Sequence, residues 1–290
     1  MLQGQVIAAY GKRYRVELSD GREISCVTRG KKTDLACGDL VEIKLTDKHE
    51  GVVESLLPRR SLLYRSNAYR SKFLAANVTQ AVIVLATTPG FYEELLNRCL
   101  VAAEAARIQP LILLNKCDAA DPSDALDRLE RYSRLGYQVQ PLSAKQNIQP
   151  LKPWLQKQTS VLVGQSGMGK STIVNALLPG LSVRTQEISE ALDSGKHTTT
   201  ATHLYHLNGD SQLIDSPGLQ EFGLHHLSVE QLEHAFIEFR PFLGKCRFSN
   251  CRHMKEPGCA IHEAVANGRI NGERVGYYQT LVNEISHKGL

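Results

Sequence analysis

The sequence predicts an α/β protein in which a parallel β-sheet is preceded by a small β-barrel and followed by a helical, metal-binding module. Three observations predict it: short alternating strands up to residue 45, a strand–helix–strand pattern from residue 80 to 214, and a Cys/His cluster after residue 245. The 290 residues, 42% hydrophobic and 22% charged, exclude a mostly disordered or fibrous chain. We expect three domains, at 1–70, 71–236 and 237–290.

The first segment reads as a barrel because residues 4–10, 13–18 and 38–45 alternate apolar and polar side chains around a turn at 19–22. About five strands in roughly 60 residues is the scale of an OB-type barrel, which presents a positive, partly aromatic face to bases. Two interpretations of Tyr10 and Tyr14 stay open, stacking on bases or simple packing. Residues 58–75, which include Arg59, suit a linker or a second nucleic-acid contact.

The net charge of +4 is unevenly distributed. Residues 1–75 carry 14 Lys and Arg against 9 Asp and Glu, residues 76–236 carry 12 against 16, and residues 237–290 carry 8 against 5. Two basic flanks around an acidic middle favour a polyanionic partner for the flanks, although excesses of this size are also common on solvated surfaces. No apolar run has the length of a membrane span and the start lacks a secretion signal, so we expect no membrane partner and a cytoplasmic location.

A phosphate-binding loop is the strongest signal of the middle segment. It follows the strand 160–163 and opens a helix at 170, as this motif requires. Backbone N–H groups would converge on phosphate oxygens, Lys170 would bring positive charge to the terminal phosphates, and the Ser171 hydroxyl would bind Mg²⁺. The residues predicted to form this loop are Gly164, Gln165, Ser166, Gly167, Met168, Gly169, Lys170, Ser171 and Thr172.

Two further loops select guanine over adenine. Asp118 can accept hydrogen bonds from both the ring N1–H and the exocyclic amine of guanine, while Asn115 would reach the phosphate loop and the Lys116 stem would lie over the base. A companion loop after the next strand would close on the guanine oxygen through a backbone N–H. The residues of the two loops are Asn115, Lys116, Cys117, Asp118, Ser143, Ala144 and Lys145.

The loops that sense the γ-phosphate are also recognisable. Asp215 would hold Mg²⁺ through water and the Gly218 N–H would touch the γ-phosphate. A Thr of the polar stretch 198–200 should complete the magnesium shell, and we choose Thr199, since the sequence does not fix the register. A Thr-rich capping turn is the alternative for this stretch.

The order of these loops is unusual, because the guanine loops at 115 and 143 precede the phosphate loop at 164. A parallel sheet with all its binding loops at the carboxyl ends of the strands tolerates such an order. The sequence therefore predicts a circularly permuted P-loop GTPase domain, with a helix near 147–156 joining the original termini. The loop at 215–218 then leads directly into the C-terminal module.

That module carries Cys246, Cys251, His253 and Cys259, a Cys-x4-Cys-x-His-x5-Cys spacing. Three thiolates and one imidazole complete a tetrahedral zinc site and leave no open position, so one structural Zn²⁺ is expected. For the other four cysteines we expect burial. The stretch 261–287 reads as helices, with Arg269, Arg274 and Lys288 facing RNA or solvent.

Over nearly its whole length the chain resembles the circularly permuted, ribosome-associated bacterial GTPases of the RsgA (YjeQ) type. Residues 164–172 and 115–118 match the nucleotide loops of that family, and the four Cys and His residues match its zinc ligands. The resemblance implies GTP hydrolysis stimulated by the 30S subunit, contacts with 16S rRNA and release late in subunit assembly, with Mg²⁺ and GTP or GDP bound.

Leu219 stands where many GTPases place a Gln that orients the attacking water. Slow intrinsic hydrolysis follows, and His197 is our candidate for positioning or deprotonating that water, against the alternative of a solvated loop histidine. Two other functions remain open, a GTP-gated RNA-binding module and a permuted GTPase acting on another RNA. Long exposed heptads are absent, so a monomer is expected.

Overall fold

In the computed structural model, which describes residues 1–29, 35–66, 71–180, 202–215 and 224–286, the first five strands close into a barrel. β1 pairs with β2, β2 with β3, β3 with β5, β5 with β4, and β4 with β1, so the ring is complete. Alternate residues such as Val6, Val16 and Ile43 fill its interior. The strands are β1 Leu2–Tyr10, β2 Arg13–Leu18, β3 Glu23–Thr28, β4 Leu40–Leu45 and β5 Glu50–Leu56.

The barrel tyrosines pack rather than project. Tyr14 is buried in the barrel core, and the ring of Tyr10 meets the ring of His203 edge to face, with centroids 5.5 Å apart. Of the two interpretations of these residues, packing is therefore the one that the structure supports.

The stretch 58–75 is not simply a linker. Much of it forms an antiparallel hairpin of β6, Leu62–Ser66, and β7, Ser71–Ala76. Two nitrogens of the Arg59 guanidinium each donate to the buried carboxylate of Asp39 at 2.7 Å. These two nitrogens are therefore not free to bind nucleic acid. A charged pair with two parallel hydrogen bonds fixes this arginine in place.

A six-stranded sheet follows, in the order β10-β9-β8-β11-β13-β12. Five of its strands are parallel and β12 is antiparallel to β13. Successive residues of β8 alternate between two cores, Val82 and Val84 on one face and Ile83 and Leu85 on the other, as expected for a sheet covered on both sides. The strands are β8 Gln80–Ala86, β9 Gln109–Asn115, β10 Gln138–Pro141, β11 Thr159–Val163, β12 Thr202–His206 and β13 Gln212–Asp215.

Helices cover this sheet as the pattern predicts, with one exception. The helix expected near 147–156 is a 3₁₀ turn, Gln149–Leu151, followed by the four-residue α3, Lys152–Leu155. Proline in the first turn of each piece and the extended conformation of Gln156 keep both short. The longer helices are α1 Glu93–Ala105, α2 Ser123–Arg134 and α4 Lys170–Leu177.

The barrel and the sheet are continuous, which the sequence did not predict. β1 pairs antiparallel with β12, with Ala8 opposite His203 and Ala9 opposite Thr202. The side-chain amides of Gln5 and Gln212 exchange hydrogen bonds of 3.3 and 2.8 Å beside this pairing. The barrel is thus joined by backbone hydrogen bonds to the strand that precedes β13.

The C-terminal part is helical and packs on the α1 side of the sheet. Its first helix begins with a capping box, in which Ser228 and Gln231 each bond the other's backbone N–H. The aromatic rings of Phe236, Phe239 and Tyr278 form its centre. Its elements are α5 Val229–Ala235, a 3₁₀ helix Ile237–Phe242, α6 Ala260–Ala266 and α7 Gly272–Ser286. The domain limits near 70 and 236 stay predictions.

Arg274 contradicts its predicted exposure. It is 1% exposed, and its guanidinium donates to both carboxylate oxygens of Glu238, at 2.5 and 3.1 Å, and to the Oδ1 of Asn97 on α1. A charged side chain is buried only where its partners satisfy it, and these partners lie 36 and 177 residues away in the chain. Arg269 is exposed as expected, and Lys288 lies outside the described residues.

Across the described ranges, we find no helix with both the length and the apolar composition needed to cross a bilayer.

We predict that Glu238→Gln destabilises the C-terminal part by about 3–5 kcal/mol, because it leaves the Arg274 guanidinium buried without a counter-charge. Urea denaturation followed by far-UV circular dichroism measures this. Arg269→Met is the matched control. It removes an exposed arginine of the same region, whose guanidinium lies over the Phe242 ring, and should cost about 1 kcal/mol or less. Equal losses in the two variants would contradict the assigned role of the buried pair.

Candidate functional site

The phosphate loop connects β11 to α4 and contains glycines that the fold requires. Gly164 has φ +141° and a Cβ there would lie 2.3 Å from the carbonyl oxygen of Val84. Gly169 has φ +94°, and a Cβ there would lie 2.4 Å from the Nδ2 of Asn115. Both positions therefore exclude any side chain, and the loop packs directly on the ends of β8 and β9.

Lys170 begins α4 and folds back over the loop. Its Nζ donates to the carbonyl oxygens of Gly164 at 2.5 Å and Gln165 at 2.8 Å. Burial lowers the pKa of Lys170 while the Asp215 carboxylate opposes that change. Burial raises the pKa of Asp215, and Lys170 opposes that in turn. Lys170 and Asp215 are predicted from separate motifs, yet each offsets the change that burial makes to the pKa of the other.

Asn115 ties the guanine loops to the phosphate loop. Its Nδ2 donates to the carbonyl oxygen of Met168 at 2.9 Å, and its Oδ1 accepts from the Ala144 N–H at 3.0 Å. The side chain is 2% exposed, so both bonds are protected from water. Asn115 therefore bonds the phosphate loop, as expected from the sequence. It also bonds the companion loop through Ala144.

Asp118 and Ser143 form the exposed end of this arrangement. The Ser143 hydroxyl donates to the Oδ1 of Asp118, and this bond holds the pKa of that carboxyl below its ordinary value. The Asp118 carboxylate therefore stays ionised and acceptor-only at neutral pH. The Cys117 N–H donates to the Leu142 carbonyl at 3.2 Å, which joins the two loops through the backbone as well.

Most of the predicted nucleotide residues thus come together, although they span residues 115 to 215. Ser166, Ser171, Thr172 and Lys145 are exposed at the surface of these loops, while Met168 is buried beneath them. His197, Thr199 and Gly218 lie outside the described residues.

The predicted zinc ligands form a compact cluster. Their four donor atoms all lie within 4.8 Å of one another. The His253 Nδ1 is 3.6 Å from the Sγ of Cys246, 3.6 Å from that of Cys251 and 3.3 Å from that of Cys259. Sulfur and nitrogen ligands of one tetrahedral Zn²⁺ lie about 3.6 Å apart, given bond lengths of about 2.3 and 2.0 Å. The cluster could hold one zinc ion.

Several residues distant in the sequence surround His253, and spacing alone could not identify them. Its Nε2 lies 3.7 Å from a carboxylate oxygen of Glu233, and Tyr278 donates to the same oxygen. The Gln279 amide donates to the His253 carbonyl at 2.9 Å, which fixes the backbone where φ is +58°. Burial lowers the pKa of His253, which favours the neutral imidazole that binds a metal. A carboxylate that accepts from the free ring nitrogen of a ligating histidine commonly orients it, and Glu233 is the carboxylate beside this ring.

A family model described as RsgA GTPase matches residues 56–225. A protein of Nitrosospira multiformis is 50% identical, with 98% of this chain and 91% of its own length covered. The chain belongs to the RsgA GTPase family. A second member, from Nitrosomonas europaea, is 52% identical over 97% of this chain and 91% of its own length. Both relatives carry the name small ribosomal subunit biogenesis GTPase RsgA.

Two solved structures resemble this RsgA-family chain along its whole length. YjeQ from Thermotoga maritima is 30% identical, with a TM-score of 0.77 and 98% of both chains covered. YloQ, described as a circularly permuted GTPase, is 28% identical, with a TM-score of 0.74 and coverage of 100% of this chain and 96% of its own. The predicted fold class, a barrel, a permuted GTPase domain and a C-terminal zinc-ligand cluster, is confirmed.

We predict that the purified protein contains one Zn²⁺ per chain and that Cys259→Ala lowers the zinc content well below one, since the site loses one of its thiolate ligands. Inductively coupled plasma mass spectrometry gives the stoichiometry. Cys99→Ala is the matched control, because Cys99 is equally buried but lies on α1, and it should retain the metal. An undiminished zinc content of one per chain in Cys259→Ala would contradict the assignment of the metal to this cluster.

Proposed function

We propose that this protein is a Mg²⁺-dependent GTPase that acts in the late assembly of the 30S ribosomal subunit. In this proposal it binds 16S rRNA, the subunit stimulates its hydrolysis, and hydrolysis releases it. The observation that carries the nucleotide part is the Asn115 bridge, because one buried amide joins the phosphate loop to the loops that would read the base. The two relatives named above, at about 50% identity, support the ribosomal part.

Guanine recognition would rest on Asp118. An ionised carboxylate accepts from two donors on one edge, and guanine presents an N1–H and an exocyclic amine there, whereas adenine does not. The bond from Ser143 leaves the second carboxylate oxygen of Asp118 and the remaining lone pairs to face the base. The backbone N–H of Lys145 would meet the guanine oxygen, since that of Ala144 is already donated to Asn115. The Lys116 stem would cover one face of the ring.

The phosphates would lie over residues 164–172, with the Lys170 ammonium exchanging its carbonyl partners for β- and γ-phosphate oxygens. Hydroxyl and carboxylate oxygens suit Mg²⁺, and Ser171 and Asp215 supply one of each. When bound with the nucleotide, Mg²⁺ neutralises charge on the β- and γ-phosphates. In the proposal Thr199 completes this shell and the Gly218 N–H contacts the γ-phosphate.

Hydrolysis needs a group that orients water, and Leu219 cannot hydrogen-bond to it. We assign this role to His197, acting when the 30S subunit is bound. Replacing His197 with Ala should remove most of the stimulated turnover while the affinity for GDP stays at the wild-type level. Stimulated turnover equal to that of the wild type would remove the histidine from the mechanism.

RNA contact would use the two basic flanks. Among the residues around the predicted zinc ligands, three basic side chains are exposed: Lys245, Arg247 and Lys255. The Arg247 guanidinium lies over the Phe248 ring, 5.5 Å from its centroid. Cations beside an exposed aromatic ring suit phosphates and unstacked bases. A cytoplasmic monomer is the form in which we expect the protein to act.

Sedimentation separates these proposals from a permuted GTPase that serves another RNA. With a nonhydrolysable GTP analogue the protein should sediment with 30S subunits, and with GDP it should not. Phosphate release should rise at least tenfold on adding 30S subunits. Binding only to 50S subunits or tRNA would overturn the assignment of partner, and subunit binding without stimulated release would indicate a GTP-gated RNA-binding module.

Asp118→Asn should change the preferred base from guanine to xanthine. The Asn amide can donate to the xanthine C2 oxygen while it accepts from N1–H, but it cannot accept from both guanine donors. We expect a loss of GDP affinity of about 100-fold or more and a gain for xanthosine diphosphate, since a bond to a charged group is worth about 1.5–3 kcal/mol and an unpaired donor adds to that cost. Titration calorimetry measures both. Unchanged GDP affinity would place the base elsewhere.

A further inference from the structure

The residue that follows β8 is hydrogen-bonded to Asn115 and Lys116, two of the residues predicted to bind guanine. Thr87, the residue after this strand, donates its backbone N–H to the Asn115 carbonyl at 3.2 Å and its hydroxyl to the Lys116 carbonyl at 2.7 Å. The motifs predicted from sequence do not include Thr87, because it lies 28 residues before Asn115 in the chain. It nevertheless holds the two residues at the exit of β9.

Lys116 adopts a backbone conformation that needs such support. Its φ is +61°, a left-handed conformation that residues other than glycine adopt uncommonly. Its carbonyl oxygen accepts two hydrogen bonds, from the Thr87 hydroxyl and from the Ala119 N–H at 2.9 Å. These bonds fix the peptide orientation from which the Lys116 side chain leaves the strand.

The Lys116 side chain is held at its far end as well. Its Nζ donates to the Thr88 carbonyl at 3.0 Å. Along the way its Cε lies 3.9 Å from where a Cβ on Gly169 would be. The aliphatic stem therefore runs between the phosphate loop and the end of β8, tethered at the backbone by Thr87 and at the ammonium by Thr88.

We propose that Thr87 is a positioning residue for guanine-nucleotide binding, acting through Lys116. The inference rests on the proposed role of the Lys116 stem as a cover for one face of the purine. A stem tethered at both ends presents a fixed apolar surface, so the base does not have to order it on binding. Thr87 makes no contact with the base in this account; its hydroxyl sets the backbone that aims Lys116.

Thr87→Val removes the hydroxyl and preserves the shape of the side chain. We expect the Kd for Mg²⁺-GDP, measured by titration calorimetry, to rise about 3- to 10-fold, the usual worth of one such hydrogen bond. Inosine diphosphate should weaken by the same factor, because it lacks the exocyclic amine but offers the same purine face. Thr87→Ser should restore wild-type affinity, since it keeps the hydroxyl.

A double-mutant cycle separates positioning from a general structural role. In a Lys116→Ala background, Thr87→Val should change the Kd no further, because the stem that it aims is gone. The matched control is Thr79→Val at the opposite end of the same strand, where the hydroxyl bonds Gln158 and the Thr159 N–H. This control should leave the Kd for GDP unchanged.

Thr87→Val tests the positioning role, and Asp118→Ala tests the proposed guanine site. If Asp118→Ala removes the preference for GDP over ADP while Thr87→Val binds GDP like the wild type, the positioning role is wrong and the guanine site stands. If Thr87→Val weakens binding equally with and without the Lys116 side chain, Thr87 acts through folding and the inference also fails. If Asp118→Ala changes nothing, the guanine site itself is refuted.

Discussion

The site depends on one buried amide. Asn115 donates to the phosphate loop at Met168 and accepts from the companion loop at Ala144. One planar group therefore sets the spacing between three segments that are distant from one another in the sequence. Gly169 makes this possible, since a side chain there would collide with the same amide. A hydrogen-bonded polar group without access to water specifies one geometry, because any other leaves a donor or acceptor unpaired.

The unusual order of the loops along the chain is compatible with that constraint. The described loops after β9, β10 and β11 leave the carboxyl ends of parallel strands, and Asp215 ends a fourth such strand, β13. A site built at these ends does not depend on which loop comes first in the chain. What changes is where the neighbouring modules attach. The barrel pairs with β12 through β1, and the C-terminal helix α7 is tied to α1 by the Arg98–Glu284 pair at 2.7 Å and to the 3₁₀ helix 237–242 by the Arg274–Glu238 pair. Both basic flanks are therefore fixed to elements of the nucleotide-binding sheet.

The sequence predicted what is encoded in contiguous residues. The phosphate loop, Asn115 to Asp118 and the four zinc ligands each carry their chemistry within about a dozen residues, and the strands of the sheet are continuous apolar runs. It missed what depends on partners distant in the chain. Arg274 was assigned to the surface because a lone arginine usually lies there, while Thr87, Glu233 and the pairing of β1 with β12 have no local signal at all. The Arg59–Asp39 pair was missed for the same reason.

A crystal structure of the Mg²⁺-GDP complex would show whether one guanine nucleotide occupies all of these loops at once. We expect the diphosphate over residues 164–172, the Asp118 carboxylate within hydrogen-bond distance of both N1 and the exocyclic amine, and the Asn115 bridge retained. A base that lies away from Asp118 while the diphosphate fills the loop would contradict this expectation.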